Sequence, residues 1–284
     1  MNTNGVIKKC LVLGSCGQIG YHLVSFLRKN NYEVLEFDIV RSIEEDLRIH
    51  NNHRLENAIA DSDFVFFLAF DVGGSRYLKK YQHTYDFTDN NIRLMSNTFN
   101  AIKKHNKPFV FASSQMSNMD YSPYGSQKRL GEHYTSLLNG LVVKFWNVYG
   151  VEKDLEKSHV ITDFILKAKN NGVIDMLTDG TEERQFLYAE DCCEALYLVM
   201  KNYSSISRDR ELHITNHNWN SILEVAQEVV KHFPANIVPS QNKDDVQKGK
   251  RNEPDPYILQ FWNPKTSLSE GIRKICDYYK EYIK

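Results

Sequence analysis

The sequence predicts an α/β protein: a doubly wound parallel sheet covered by helices over residues 1–150, followed by a smaller C-terminal α/β lobe over 151–284. Three observations predict it. Short apolar runs alternate with longer stretches of helical pattern, as in strands buried on both faces and joined by crossover helices. The first run, Cys10-Leu-Val-Leu13, passes through a glycine-rich turn directly into a helical stretch. Beyond Gly150 the alternation loosens into shorter pieces, as expected of a lobe wrapped on the first unit, with some of its elements returning to that unit.

The apolar runs place strands at Lys9–Ser15, Glu33–Asp38, Asp63–Phe70, Pro108–Ser114 and Leu141–Val148. Helical patterns between them cover Gln18–Lys29, Asn51–Ile59, Asp86–Lys104 and Tyr124–Leu138. In the second half the same reading gives a helix near Val160–Lys169, short strands near Ile174–Leu177 and Phe186–Tyr188, and a helix over Asp191–Met200. A strand at Glu211–Thr215 and helices over Ser221–His232 and Ser267–Tyr282 complete it, with Gln241–Pro256 as a polar loop.

With 284 residues the chain can bury a large core. Its 35 basic and 36 acidic residues give a net charge of −1, so no global basic field attracts nucleic acid or an anionic membrane. Met1 to Lys9 lacks the basic-then-apolar order of a signal peptide, and no apolar run approaches the ~18 residues of a membrane span. A cytoplasmic location is expected. The five cysteines form no Cys-x-x-Cys pair and no metal-like spacing with histidine, which fits a reduced compartment and argues against a disulfide or a metal site.

Gly14-x-x-Gly17-x-x-Gly20, between a strand and a helix, is the context a dinucleotide-binding Rossmann turn requires. Such a turn presents backbone N–H groups and a helix N-terminus to a pyrophosphate, making Gly14, Cys16, Gly17, Gln18, Ile19 and Gly20 cofactor candidates. Asp38 closes the second strand 18 residues after Gly20. A carboxylate there accepts the adenosine ribose hydroxyls and repels a 2′-phosphate, favouring NAD over NADP, although Arg41 is close enough to soften that preference. Asp46 and Leu47 are candidates for the adenine edge, and Leu68 and Ala69 for the cofactor side of the third strand.

Tyr124 and Lys128 are one helical turn apart and share a face, so the ammonium is expected to lower the phenol's pKa and make it an acid/base. Ser113 and Ser114 end the preceding strand, where a hydroxyl lies beside the ligand crevice of a parallel sheet. From there a serine can hold the substrate oxygen that Tyr124 protonates or deprotonates. A dinucleotide beside a proton-transfer residue is the minimum equipment for oxidising an alcohol.

The glycine motif, Ser113-Ser114, Tyr124-x-x-x-Lys128, Asn147-Val-Tyr-Gly150 and Arg184-x-Phe-Leu-Tyr-x-x-Asp191 stand in this order along almost the whole chain. In this the chain resembles the extended short-chain dehydrogenases/reductases of the nucleotide-sugar epimerase/dehydratase family. The resemblance implies Tyr124 as acid/base, Lys128 on the nicotinamide ribose, Ser114 on the reacting sugar oxygen, and first chemistry at carbon 4 of the sugar. It also implies sugar-nucleotide contacts at Asn147, Arg184 and, in Arg251-Asn-Glu-Pro254, Arg251.

Two departures narrow the implied reaction. Where resembling 4,6-dehydratases carry an Asp-Glu pair, this chain has Gln115-Met116, and it has no cysteine close after the serines, as resembling 3,5-epimerases do. Val72-Gly73-Gly74 resembles the glycine loop of the GDP-sugar enzymes, and paired glycines let backbone approach a sugar closely. The resemblance is strongest to a small group of bacterial GDP-manno-heptose 4-dehydrogenases linked to capsular polysaccharide. That implies a 4-keto product, with reduced cofactor reoxidised by exchange or by a second keto substrate such as a 2-keto acid. A 4-epimerase and a catalytically silent NAD sensor remain as alternatives. The helices Asp86–Lys104 and Tyr124–Leu138 resemble the family's dimer-forming pair, although Ile92, Met95, Phe99, Leu130 and Leu137 could equally be core positions.

Overall fold

The computed structural model describes residues 7–244 and 252–282. Its first half runs β1 (Lys9–Leu13), α1 (Gln18–Lys29), β2 (Glu33–Phe37), α2 (His53–Asp61), β3 (Phe64–Phe67), α3 (Ser75–Tyr81), α4 (Tyr85–His105), β4 (Phe109–Ser114), α5 (Pro123–Leu137) and β5 (Leu141–Phe145). Then follow β6 (Asn147–Tyr149), α6 (Val160–Asn171), β7 (Val173–Asp175), β8 (Glu183–Tyr188), α7 (Ala189–Lys201), β9 (Leu212–Ile214), β10 (Trp219–Ser221), α8 (Ile222–Val230), β11 (Asn236–Val238) and α9 (Leu268–Tyr282).

The main sheet has the order β2-β1-β3-β4-β5-β9, and every neighbouring pair in it is parallel. Its central strands β1 and β3 are apolar on both faces, and alternate residues feed separate cores. Cys10, Val12, Phe64 and Phe66 pack with Leu23 and Leu27 of α1 and Leu196 of α7. Leu11, Leu13, Val65 and Phe67 pack with Leu55 and Ile59 of α2 and Met95 and Phe99 of α4. This is the doubly wound α/β fold expected from the sequence, and β1, flanked by β2 and β3, marks the switch point where ligands bind outside the carboxyl ends of the strands.

A third core gathers Ile161 and Ile165 of α6, Phe186 of β8, Val225 and Val229 of α8 and Ile272, Ile275 and Tyr279 of α9. Two small sheets, β10-β8-β6 and β11-β7, accompany it. The strand read from sequence at Glu211–Thr215 appears as β9 and joins the main sheet beside β5.

Several elements differ from the sequence reading, among them the three-residue strands β10 and β11, too short to show a strand period. Leu141–Val148 is not one strand: β5 ends its pairing with β4 at Phe145, and after the single residue Trp146, Asn147 pairs with Phe186 of β8 in another sheet. Unbroken apolar composition hides that crossing. Helix α3 was not anticipated, being only seven residues long and carrying Lys79, Lys80 and two tyrosines rather than a clear apolar stripe. Residues 245–251 of the polar loop Gln241–Pro256 lie outside the described residues.

Candidate active site

The carboxyl ends of the main-sheet strands open into a cleft of about 1630 Å³. At its centre β1 ends in Gly14, whose backbone has φ +87 and whose missing side chain lets the Ala69 backbone approach: a Cβ there would lie 2.7 Å from Ala69 N. Gly17 caps α1 in extended conformation with no capping side chain and no acidic residue in the first turn. The positive end of the helix, with Gln18 and Ile19 in its first turn, therefore faces the cleft undiluted. A Cβ on Gly20 would stand 2.0 Å from the Gly14 carbonyl oxygen. Gly20→Ala is expected to separate turn from helix, costing about 3 kcal/mol of stability by overpacking and weakening NAD binding, as read by urea unfolding and cofactor titration.

Asp38 stands at the end of β2 and ties the turn together: Oδ2 accepts from Cys16 N at 2.9 Å and Oδ1 from Val40 N at 2.9 Å. Asp46 and Leu47 also line the cleft. Leu47 is buried, while Asp46 is clamped through both oxygens by Arg48. Burial pushes the Asp46 carboxyl up, but the hydrogen bonds from Arg48 outweigh it and hold the acid below its usual range. Arg48 itself, which the sequence reading missed, reaches Asn90 at 2.9 Å and lines the cleft.

Ser114 ends β4, and Tyr124 and Lys128 lie one turn apart on α5, whose start is fixed by Pro123 and by Ser122, which caps Gly125 N at 3.1 Å. All three line the cleft and are buried. Lys128 Nζ donates to Ala112 O at 2.6 Å and sits 3.6 Å from the centroid of the Phe70 ring, a cation–π contact in a dry pocket. Tyr124 meets the same ring edge-on at 5.7 Å.

One expectation is corrected here. Burial pushes the Tyr124 phenol up to about 12, opposed by a hydrogen bond with the Ser114 side chain. Lys128 does not lower it: the ammonium is 5.8 Å from the tyrosine's ring centroid, and burial drives its own pKa down to about 7, against the pull of Glu132. Removal from water favours the neutral form of both groups, and in this pocket that exceeds their mutual influence. At pH 7 Tyr124 is a protonated acid and Lys128 is only partly charged.

On the far wall, Val72, Gly73, Gly74 and Asn147 line the cleft. The glycine pair lies at a close crossing: a Cβ on Gly73 would meet Tyr77 at 2.9 Å and one on Gly74 would meet Ser158 O at 2.5 Å. Asn147 Nδ2 donates to Gln185 O at 3.4 Å. Arg184 stands apart: it is not among the cleft-lining residues, and its guanidinium is paired with Asp244. Arg251 lies outside the described residues. Gln115 and Met116 line the cleft as read, bringing no acid, and Gln115 O and Oε1 each accept from Asn252 Nδ2 at 2.9 Å.

The sequence reading also missed Glu152 and His159. His159 Nδ1 lies 2.6 Å from Glu152 Oε1, its N–H donates to Oε2 at 3.0 Å, and both residues line the cleft. Burial raises the Glu152 carboxyl, but the bonds from His159 and Thr162 leave it below its usual range. A histidine seven residues after a glutamate, in a loop, carries no periodic signal. Only the fold pairs them.

The arrangement suits a dinucleotide: an uncapped helix end behind three glycines, a carboxylate at the end of the neighbouring strand, and a buried tyrosine–lysine pair at the other end of one cleft. Comparison with known proteins agrees. Over an alignment of 137 positions that covers 45% of this chain and 43% of the other, the sequence is 35% identical to the GDP-L-fucose synthase of Sinorhizobium fredii. A GDP-6-OMe-4-keto-L-xylo-heptose reductase from C. jejuni superimposes with a TM-score of 0.80 at 19% identity, over 99% of each chain. The UDP-glucose 4-epimerase of Thermotoga maritima does so with a TM-score of 0.78 at 20% identity, over 97% of this chain and 100% of that one. Residues 10–215 match the model of the NAD dependent epimerase/dehydratase family. With that match over most of its length, the chain belongs to the NAD dependent epimerase/dehydratase family, and its cofactor is NAD.

Proposed function

We propose that this protein is an NAD-dependent 4-dehydrogenase of a GDP-linked sugar, GDP-manno-heptose in particular, and that it releases the 4-keto sugar for capsule or surface polysaccharide synthesis. The observation that carries the reading is the buried cluster of Ser114, Tyr124 and Lys128 beside Gln115 and Met116, which supplies one proton-transfer residue at the sugar and no acid pair for dehydration. NAD, when bound, accepts the hydride from carbon 4. Ser114 would hold the 4-hydroxyl, Tyr124 would take the hydroxyl proton in its phenolate form, and Lys128 would bind the nicotinamide ribose. The positive charge of bound NAD favours that phenolate against the desolvation that otherwise keeps the phenol protonated. Asn147 contacts the sugar nucleotide, Arg184, on exchanging Asp244 for phosphate, binds its diphosphate, and Arg251 contacts its nucleotide side.

The glycines 73 and 74 support GDP over UDP, while enzymes of GDP-sugars and of UDP-sugars both stand among the similar proteins. A 2-keto acid is the proposed external hydride acceptor. The cofactor half is assigned to 1–150 and the substrate lobe to 151–284, with α7 and β9 returning to the first, in a cytoplasmic homodimer. Ile92, Leu130 and Leu137 are exposed on α4 and α5 and suit that interface, whereas Met95 and Phe99 are core. Light scattering of the purified protein tests it, a monomer being the contrary result.

The UDP-glucose 4-epimerases among the similar proteins favour a second reading, 4-epimerisation, in which the keto sugar rotates in the cleft and takes the hydride back on its other face. The deciding experiment incubates the protein with NAD, a 2-keto acid and GDP-, UDP- and dTDP-sugars, and identifies products by mass and NMR. A GDP-sugar product short of two hydrogens supports the dehydrogenase. An isomer of unchanged mass makes it the epimerase, and turnover of no sugar leaves only a cofactor-binding role.

A further inference from the structure

We propose that Glu36 and Glu45 exclude NADP from this protein by holding Arg41 in a closed bracket of ion pairs at the adenosine end of the cleft. A basic side chain just past the β2 carboxylate is the group that would receive a 2′-phosphate, and Arg41 has that position. Two of its three nitrogens are already ion-paired: Nη1 is 3.2 Å from Glu36 and Nε is 3.3 Å from Glu45.

The bracket is held from outside as well. Glu36 takes Arg28 Nη2 at 2.6 Å through its other oxygen, and Glu45 Oε2 accepts the Asp38 backbone N–H at 2.9 Å. Arg41 N donates to Asp38 O at 3.0 Å, so the arginine is confined to the turn that follows the strand. The glutamate side chains are only 18% and 15% exposed against 41% for Arg41, so the acids are the fixed members and the arginine is the held one. All of these residues line the same end of the cleft. A 2′-phosphate arriving there meets a guanidinium that must break two ion pairs to reach it. Ribose hydroxyls, being uncharged, do not call on that guanidinium.

The inference depends on the cofactor site alone, so it stands or falls independently of which sugar is used. The test titrates NADH and NADPH, by cofactor fluorescence, into the wild-type protein, Glu36→Gln/Glu45→Gln, Arg41→Ala and the triple variant. In the double variant the NADPH dissociation constant is expected to fall about tenfold, the size of one released charge-assisted bond, with little change for NADH. Arg41→Ala in the wild-type background should leave NADPH binding unchanged, and in the triple variant it should cancel the gain. Unimproved NADPH binding in a double variant that still binds NADH overturns the bracket. So does a gain that survives loss of Arg41, or a loss of NADPH binding in the single variant Arg41→Ala, which needs no change to either glutamate.

Discussion

Replacing Tyr124 with phenylalanine is expected to lower kcat for sugar oxidation by about 10³-fold, the usual contribution of a positioned proton-transfer group, without changing the NAD dissociation constant. The phenol ring is buried against Phe70 and its side chain is hydrogen-bonded to Ser114. The substitution therefore removes one hydroxyl and leaves the packing in place. Separate titration of NAD shows whether the loss is chemical or a collapse of the cleft. A variant that keeps near-normal kcat removes Tyr124 from the mechanism, and the Glu152–His159 pair then becomes a candidate acid/base among the titratable groups of the cleft.

Lys128→Met is expected to abolish oxidation and to make the cofactor-free protein more stable at pH 7. The lysine is buried, and its pKa falls from 10.5 to about 7 on folding. Below pH 7 both folded and unfolded chains carry the charge, and the folded one bears the full cost of burying it. As pH rises from 7 to 10.5 the folded state releases the proton first and the cost fades. At 1.36 kcal/mol per pKa unit, and allowing for relaxation around the charge, the ammonium costs about 3 kcal/mol at pH 7. Urea unfolding of the wild-type protein should accordingly show stability from this group growing between pH 7 and 10, and Lys128→Met should gain about that amount at pH 7 and little at pH 10. Methionine keeps the bulk of the side chain, so packing loss is small. A destabilised variant would mean that the ammonium's bond to Ala112 O and its contact with Phe70 outweigh desolvation.

The cofactor end was the more legible part of the site. Gly14, Gly17 and Gly20 are spaced for a strand–turn–helix junction, and the structure gives each the tight approach such a junction needs. Ser114, Tyr124 and Lys128 were likewise readable, since one helical turn and one strand end fix their relation. The electrical state of that cluster was not. From sequence the lysine stands beside the tyrosine and lowers its pKa; in the fold both are dry, and desolvation drives the two groups the opposite way.

The substrate side was harder because its residues meet across long sequence separations. Arg184 reads as a phosphate ligand, yet it is engaged by Asp244, sixty residues on. Trp146 divides what reads as a single strand, because Phe145 completes the main sheet while Asn147 already belongs to the lobe.

By itself the sequence determined the doubly wound fold, the dinucleotide turn and the order of the candidate catalytic residues, because each rests on periodicity or spacing within about one supersecondary unit. Only the tertiary structure decided which charges are buried, which arginines are already paired, and which loop residues such as Glu152 and His159 share the cleft. Burial and ion pairing arise from contacts between distant segments, and no local pattern of residues encodes them.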